Sequence, residues 1–494
     1  MEAFLHPLQG LAEFWEIKKR CGANCGILNV SGCMESQKVH LMYGLSGLFP
    51  YHLILADDER NAKEIYEDYR FYDKNVYFYP AKDLLFFQAD IHGNLLIRQR
   101  MRVIRALLEQ EEVTVVTSID GCMDFLMPLE KIRSRLLHFK SDSVIDLDQL
   151  KEELVELGYE RTGQVELPGQ FSVRGGIIDI YPLTEDNPWR IELWDDEVDS
   201  IRSFDAESQR SLENVDEITI YPAAEKMDGE DMVSFLDYFP EEKTLVFLDE
   251  LNHLAENGEG VEEEYRQSRM HREEKGEANL PEQWLCGFQE LQKKLNRRNC
   301  VAVSALSPRR SGWKINEEFD LTVKSVDSYN SSFELLVKDL ERYKKNGYQV
   351  ILLSGSRTRA KRLADDLMAE GLNAFYSEDY DHEVKPGEIM TGYGKIKKGY
   401  EYPMLKFVVI SESDIFGGEK KKKKRKRIYE GEKIASFTDL NIGDYVVHES
   451  HGLGIYRGIE KIEVDKTEKD YIKIEYAGGG NLYILATQLE QIQK

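Results

Sequence analysis

Apolar positions in the first part of the chain follow two alternating patterns, which predict an α/β domain. Short apolar runs alternate with stretches in which apolar residues recur every three or four positions. The predicted strands and helices are, in order, Tyr51–Ala56, Glu59–Tyr72, Val76–Tyr79, Arg98–Gln110 and Val113–Thr117. Strand–helix alternation of this kind predicts a mostly parallel sheet over residues 1–140.

The pattern changes to strict alternation between Gln164 and Asp205, after a predicted helix over Asp146–Leu157. In QFSVRGGIIDIYP and WRIELWDDEVDSIRSFD, apolar and polar residues alternate, and Gly175-Gly176 supplies a bend. These segments predict a small antiparallel sheet with one solvated face, on which Arg174 and Arg190 lie.

Two further α/β segments follow. Lys243–Glu250 and Val301–Ser307 are predicted strands, and the charged stretch Gly258–Gly276 between them is a solvated loop or helix. From residue 325 the order is helix, strand, helix, strand, predicted over Ser332–Asn346, Tyr348–Ser354, Arg357–Gly371 and Leu405–Ser411. The turn at Gly355-Ser356-Arg357 is read as an ordinary capped turn, although an anion can bind at such a helix N-terminus.

Residues 434–494 are predicted to form short strands separated by glycines: Asp444–His448, Gly452–Tyr456, Ile459–Val464, Tyr471–Tyr476 and Asn481–Ile484. They predict a small, strongly bent sheet or partial barrel. The predicted fold class is therefore multidomain α/β with an inserted small antiparallel β domain and a C-terminal β domain. The predicted segments are 1–140, 141–225, 226–322, 323–416, a basic linker at 417–433, and 434–494.

Composition and charge indicate a protein that binds other proteins. The 494 residues carry a formal charge of −25, although Lys420–Arg427 are eight consecutive basic residues. An acidic surface of this kind repels phosphate, so it is a poor general DNA-binding surface. The basic run is interpreted as a solvated tether, with a weak, salt-sensitive DNA contact as the alternative.

Cysteine spacing argues against a zinc-binding protein, and hydropathy argues against a membrane protein. The six cysteines do not form a zinc-binding set, and a reducing compartment is expected. The sequence has no apolar run of about 18 residues, so a cytoplasmic protein without a membrane segment is predicted. A monomer is expected.

A degenerate phosphate loop is predicted at Asn29–Lys38 (NVSGCMESQK), where Gly32 is not followed by Gly-Lys-Ser/Thr. Glu35 places a negative charge where phosphate would bind, so the loop around Gly32 and Lys38 is not expected to hold a nucleotide. The acidic pair Asp249-Glu250 resembles a magnesium-binding pair. Without a phosphate loop it is interpreted as a relic or a helix cap, and neither a cofactor nor a metal is predicted.

The stretch VRGGIIDIYP, followed by IELWDDEVDSIRSFDAESQRS, resembles a module shared by the excision-repair helicase UvrB and the bacterial transcription-repair coupling factors. YPAKDLLFFQADIHGNLLIRQRMRVIRALLEQ also resembles the first domain of the coupling factors, with no room for the DNA-clamping hairpin of UvrB. In that family the small sheet docks UvrA. The resemblance places the UvrA-binding residues at Arg174, Arg190 and Trp194.

GDYVVHESHGLGIYRGIEKI and DYIKIEYAGGGNLYILATQLEQI resemble the RNA-polymerase-interaction domain of the same family, which is related to CarD regulators. Relatives often carry Arg after the second Gly of HGxG, where this chain has Ile455. The resemblance implies an edge that binds the polymerase β subunit, formed by Ile455, Arg457, Ile459 and Ile462.

Together these resemblances imply the N-terminal adaptor half of a coupling factor, which recruits UvrA to RNA polymerase stalled at DNA damage. The chain is expected to have no enzymatic activity and to be truncated, because the ATP- and Mg-dependent DNA translocase of the full-length relatives follows the polymerase-binding domain. DNA contact is expected mainly through that absent translocase. Two alternatives are a CarD-like regulator with a fused scaffold, which would not bind UvrA, and an ATP-driven helicase or nuclease subunit.

Overall fold

The computed structural model describes residues 1–21, 26–81, 94–223, 232–274, 285–308, 312–417, 440–448, 452–464, 467–475, 481–485 and 492–493. Within these ranges the chain is a mixed α/β protein with two sheets built on parallel strands and several smaller sheets. The basic run Lys420–Arg427, Cys25 and the connection Phe86–Gly93 lie outside the described residues.

Most of the helices predicted from the sequence are present in the structure. They are α1 (Glu2–Leu8), α2 (Ala12–Cys21), α3 (Glu35–Ser46), α4 (Glu59–Tyr72), α5 (Asn94–Glu109), α6 (Ile119–Cys122), α7 (Leu129–Ser134), α8 (Leu147–Glu156), α9 (Leu251–Glu274), α10 (Phe288–Leu295), α11 (Phe333–Lys345), α12 (Arg357–Ala369) and α13 (Glu412–Phe416). Among the described residues, no helix has both the length and the apolar character needed to cross a bilayer.

The strands are β1 (Ile27–Ser31), β2 (Tyr51–Ala56), β3 (Val76–Tyr79), β4 (Val113–Ser118), β5 (Phe125–Leu126), β6 (Leu137–Lys140), β7 (Glu160–Arg161), β8 (Gln170–Arg174), β9 (Ile177–Ile180), β10 (Trp189–Trp194), β11 (Glu197–Phe204), β12 (Ser211–Val215), β13 (Glu217–Ile220), β14 (Val233–Ser234), β15 (Thr244–Asp249), β16 (Cys300–Val303), β17 (Ile315–Asp320), β18 (Lys324–Ser325), β19 (Gln349–Ser354), β20 (Ala374–Tyr376), β21 (Ile389–Tyr393), β22 (Tyr400–Tyr402), β23 (Phe407–Ile410), β24 (Tyr445–His448), β25 (Gly452–Val464), β26 (Thr467–Glu475), β27 (Asn481–Leu485) and β28 (Ile492–Gln493).

The first α/β unit contains a seven-stranded parallel sheet in the order β17-β1-β16-β15-β2-β4-β3. Its strands come from residues 27–118 and 244–320, so the chain leaves this sheet and later returns to it. The segment between them folds into the antiparallel sheet β12-β11-β10-β9-β8, with β7 added in parallel. Helix α8 covers one face of that smaller sheet and buries Leu150 and Leu154 in its core.

Residues 324–410 form the sheet β18-β22-β23-β19-β21-β20, in which β23, β19, β21 and β20 are parallel. This unit shares a core with the first one. Phe4 and Tyr72 of the first unit belong to the same buried cluster as Tyr400 and Phe407. A shared core of this kind fixes the two units against each other.

A buried imidazole lies at this junction. The Nε2 of His40 donates to the carbonyl of Phe4 at 2.9 Å, so its Nδ1 accepts from the hydroxyl of Tyr402 at 3.1 Å. Gln37 donates to the same hydroxyl, and the hydroxyls of Tyr72 and Tyr400 are 3.0 Å apart. The network holds one neutral histidine tautomer between the two units.

Stability is expected to fall as the pH falls from 6.5 to about 4. Burial lowers the pKa of His40 and of His52 to about 4 each, below the usual 6.5, so the unfolded chain binds more protons in this window. Each imidazole contributes at most about 3 kcal/mol to the loss. Burial also raises the pKa of Asp68 and that of Asp120 to about 6 each, and these two carboxyl groups offset much of the loss as the pH falls below 6. Thermal melts at pH 7 and pH 5 measure the difference, and equal midpoints would contradict the expectation.

Of the two alternatives for the charged stretch Gly258–Gly276, a solvated loop or a helix, the structure shows a helix, because most of it belongs to α9. Two differences from the sequence predictions concern strands. Val301–Ser307 was predicted as one strand, but β16 ends at Val303. The two strands predicted over Gly452–Val464 form the single strand β25, with a register shift between Tyr456 and Gly458. Gly458 has φ +106°, which permits this bulge.

The terminal domain contains an antiparallel sheet in the order β27-β26-β25-β24-β28. In its described part, β27 and β28 are the outer strands and do not pair with each other. Strands β24, β26 and β27 correspond to predicted strands, whereas β25 joins two predicted strands and β28 was not predicted. The predicted strong bend or partial barrel stays a prediction.

Candidate protein-interaction surfaces and a closed nucleotide loop

The outer face of the small sheet is organised around a buried carboxylate, Asp179. Its side chain is 1% exposed and lies on the middle strand β9. Arg190 donates to both carboxylate oxygens, at 2.6 and 2.9 Å, and Arg174 donates to one of them at 2.7 Å. The register explains this convergence, because Arg190 lies directly opposite Asp179 and Arg174 lies on the neighbouring strand β8.

The two arginines differ in how far they reach solvent. The side chain of Arg174 is 46% exposed, whereas that of Arg190 is 13% exposed. The guanidinium of Arg190 also lies 4.3 Å from the ring centre of Phe204 and donates to Gln209 at 3.0 Å. The hydrogen bond to Asp179 raises the pKa of Arg190, so it stays charged. Both arginines lie on one face of the sheet, as predicted, but only Arg174 is largely open to solvent.

Trp194 lies at the end of this outer face, next to the two-residue turn that joins β10 to β11. Its side chain is 80% exposed, the highest value among the large apolar residues of this small domain. On the same face Arg202 and Ser200 donate to Glu192. The surface therefore combines an exposed indole with a network of paired charges, a composition typical of protein interfaces.

Arg190→Ala and Arg174→Ala are expected to differ in stability. Removing Arg190 leaves the buried carboxylate of Asp179 with a single hydrogen-bonding partner, which costs about 3 kcal/mol. Removing Arg174 leaves the two-point contact with Arg190 intact, and a cost below about 1 kcal/mol is expected.

Urea unfolding of the two variants and of the original chain measures these costs. Equal stability of Arg190→Ala and the original chain would show that Asp179 does not depend on Arg190.

The terminal sheet places the four predicted polymerase-facing residues differently. Ile455 pairs with Tyr445 on one side and with Glu475 on the other, so its backbone is inside the sheet. Arg457 is exposed, and its Nε donates to Glu475 at 2.6 Å. Ile455 is therefore not available for pairing at an edge.

Strand β25 extends beyond its neighbour β24. Strand β24 pairs with Gly452–Ile455, and residues 458–464 pair with β26 on their other side. Ile459 and Ile462 lie in this extension, opposite Ile472 and Lys469. The described residues place no strand along the second side of the extension. An edge of this kind is where another chain can add a strand.

The degenerate phosphate loop is closed by the protein's own groups. The amides of Gly32 and Cys33 donate to the carbonyls of Ala305 and Ser304 at 3.3 and 3.1 Å. Gly32 has φ +77°, and a Cβ there would lie 2.0 Å from the carbonyl oxygen of Leu321. These two amides, which a phosphate loop would turn towards a ligand, are used inside the protein.

Lys38 is held by the acidic pair that ends β15. Its Nζ lies 2.7 Å from Asp249 and 2.6 Å from Glu250, and Asn61 donates to Asp249 at 2.7 Å. Burial acts to lower the pKa of Lys38, but the two carboxylates outweigh it and raise the pKa. The pair Asp249-Glu250 is therefore the ion-pair partner of Lys38. The interpretation of this pair as a relic or a helix cap did not include that role.

The turn at Gly355-Ser356-Arg357 also contains a carboxylate from the chain itself. Glu412 accepts hydrogen bonds from the amide of Gly355 and, at 3.2 Å, from the hydroxyl of Ser354. It also forms an ion pair with Arg359. A protein carboxylate thus occupies the place that the sequence analysis considered for an anion.

The position of Asp179 at the centre of the outer face was not predicted from the sequence. A signal was present, because Asp179 interrupts the apolar run Ile177-Ile178-Asp179-Ile180 at a position where a polar side chain needs a partner. Phe204 and Gln209 were also missed, and no spacing in the sequence relates them to Arg190.

Comparisons with known proteins identify both β domains. A family model of the UvrB interaction domain matches residues 137–225, which contain the small sheet and α8. A model of the CarD-like/TRCF RID domain matches residues 440–494, which contain the terminal sheet. The chain thus carries two separate interaction domains on an α/β scaffold.

The chain is homologous to transcription-repair-coupling factors. It is 30% identical to that of Bacillus subtilis (strain 168), over 94% of this chain and 46% of the relative. It is 28% identical to that of Staphylococcus epidermidis (strain ATCC 12228 / FDA PCI 1200), over 90% of this chain and 43% of the relative. The chain therefore spans less than half the length of these relatives, and the resemblance seen in the sequence is confirmed.

A solved structure of an XPD helicase aligns with 78% of this chain and 80% of its own, at 10% sequence identity and a TM-score of 0.22. A score this low does not establish a common fold.

Proposed function

We propose that this chain is an adaptor that recruits UvrA to RNA polymerase. The observation that carries the proposal is the presence, in one chain, of a UvrB interaction domain and a CarD-like/TRCF RID domain. UvrA binds the outer face of the small sheet, where Trp194 and Arg174 supply exposed contacts. Arg190 supports that face by holding Asp179.

The polymerase β subunit binds the terminal domain. The extension of β25 at residues 458–464, which contains Ile459 and Ile462, offers its outward-directed N–H and C=O groups for strand addition, and main-chain hydrogen bonds then supply affinity. Arg457 lies beside this edge as a charged contact. Ile455 acts indirectly, by joining β25 to β24 and β26.

The seven-stranded unit acts as a scaffold without nucleotide chemistry. Two amides of its phosphate loop and the amine of Lys38 are used within the protein, which supports a chain that does not bind ATP and is not an enzyme. We further propose a monomer that works in the cytoplasm. Any DNA contact of this chain comes from the basic run Lys420–Arg427 and is weak and sensitive to salt.

Calorimetric titrations with UvrA, with the polymerase β subunit and with ATP test the proposal. Binding to both proteins and none to ATP is the expected result. Binding to the polymerase subunit alone would favour a CarD-like regulator, for which the RID match is the specific support. Tight ATP binding would contradict the scaffold role of the first unit.

A further inference from the structure

Three side chains form a row across the end of the small sheet, and one of them belongs to a segment outside its six strands. Val144, in the loop before α8, makes a β-bridge with Glu197, and Glu197 pairs with Trp194 across the turn. The amide of Ile145 donates to Asp196, and that of Val198 donates to Ser143. These flanking bonds make Val144 and Glu197 a pair of the non-hydrogen-bonded type, whose side chains lie close together on one face.

Val144 and Trp194 are both open to solvent. Val144 is 71% exposed and Trp194 is 80% exposed. Because the backbone of Glu197 lies between theirs, their backbones are about 10 Å apart. The next residue, Ile145, packs on the opposite side against the domain core. Val144 is thus held outward by backbone pairing, with most of its side chain open to solvent.

We propose that Val144 is a UvrA contact, and that it forms with Trp194 a two-residue apolar anchor. This inference rests on the proposed function and extends the surface beyond the three residues matched by resemblance. Val144 is continuous with the Trp194 end of the outer face, because Glu197 pairs with both residues.

The charges around the anchor define the kind of surface that it fits. Asp195, Asp196 and Glu197 are exposed at the turn between the two apolar residues. The complementary surface is an apolar recess flanked by basic side chains, because an apolar centre with opposite charges at its rim gives both affinity and orientation.

Val144→Thr tests the contact, because threonine keeps the branched shape and replaces one methyl group by a hydroxyl. The matched control is Val155→Thr. Val155 is 57% exposed on α8, the helix that packs on the other side of the same sheet. Calorimetric titration of the full chain with UvrA is expected to show a Kd raised roughly fivefold for Val144→Thr and changed less than twofold for Val155→Thr.

A double variant measures whether the two residues act together. If Val144 and Trp194 share one recess, Val144→Thr should change the Kd less in a Trp194→Ala background than alone. Thermal melts of all variants check that the fold is kept. A Kd unchanged by Val144→Thr, alongside weaker binding by Trp194→Ala, would overturn this inference and leave the proposed function standing. Failure of the unmodified chain to bind UvrA would overturn both.

Discussion

Trp194→Ala is expected to weaken UvrA binding by roughly 30-fold or more without unfolding the small domain. Its indole is 80% exposed, so the isolated domain does not depend on it for packing. An exposed Trp beside arginines is a frequent hot spot, and truncation of such a residue costs about 2 kcal/mol or more of binding free energy. Calorimetric titration of the full chain with UvrA measures the change.

Trp15→Ala is the matched control for this prediction. Trp15 is an exposed tryptophan on α2, in the first α/β unit and outside the UvrB interaction domain. Its removal is expected to leave the UvrA affinity unchanged. Equal loss of affinity in the two variants would indicate a non-specific effect of removing an indole, and unchanged affinity in Trp194→Ala would remove Trp194 from the interface.

Lys38→Met is expected to destabilise the seven-stranded unit by about 3 to 5 kcal/mol. The substitution keeps the length and the apolar stem of the side chain but removes the charge that Asp249 and Glu250 share. Asp249 is almost fully buried, and a buried carboxylate without its cation carries most of its desolvation cost uncompensated. Urea unfolding followed by circular dichroism measures the loss.

Two further variants separate this effect from a general loss of charge. Lys63→Met removes an exposed lysine that pairs with Glu59 on α4, and its cost is expected to stay below about 1 kcal/mol. The triple variant Lys38→Met, Asp249→Asn, Glu250→Gln removes all three charges and should recover part of the stability. A triple variant less stable than Lys38→Met would show that the carboxylates are stabilising without their lysine.

The sequence predicted elements whose signals are local. Helix α4 begins and ends at the predicted residues Glu59 and Tyr72, because its apolar face is regular and Asp58 caps its first turn by accepting from Asn61. Alternation also located β8 to β11, since one face of that sheet packs on a core. These features are properties of neighbouring residues.

Strand ends were less predictable, because they depend on the neighbouring strands. The run Val301–Ser307 is apolar enough for a longer strand, yet the carbonyls of Ser304 and Ala305 turn to the amides of Cys33 and Gly32. These contacts join residues about 270 positions apart. Periodicity within a short window contains no information about them.

For the candidate surfaces too, some features could be predicted from the sequence and others depended on the tertiary structure. Resemblance placed Arg174, Arg190 and Trp194 on one small sheet, and the structure puts all three on one face of it. That Arg190 is held between Asp179 and Phe204 could not be read from spacing, since the register across β9, β10 and β11 decides which side chains meet. The same register brought Val144 beside Glu197.

The sequence by itself determined the order of α/β and β-rich units, most of their helices and strands, and the resemblance to transcription-repair-coupling factors, because these depend on local patterns and on quoted stretches. Only the tertiary structure decided which polar groups are paired inside the protein and which are exposed. Lys38 meets Asp249 across 211 positions of the chain, and whether a charge is paired inside the protein or open to a partner depends on such distant contacts. Hydrophobic burial drives the packing that brings such distant residues together.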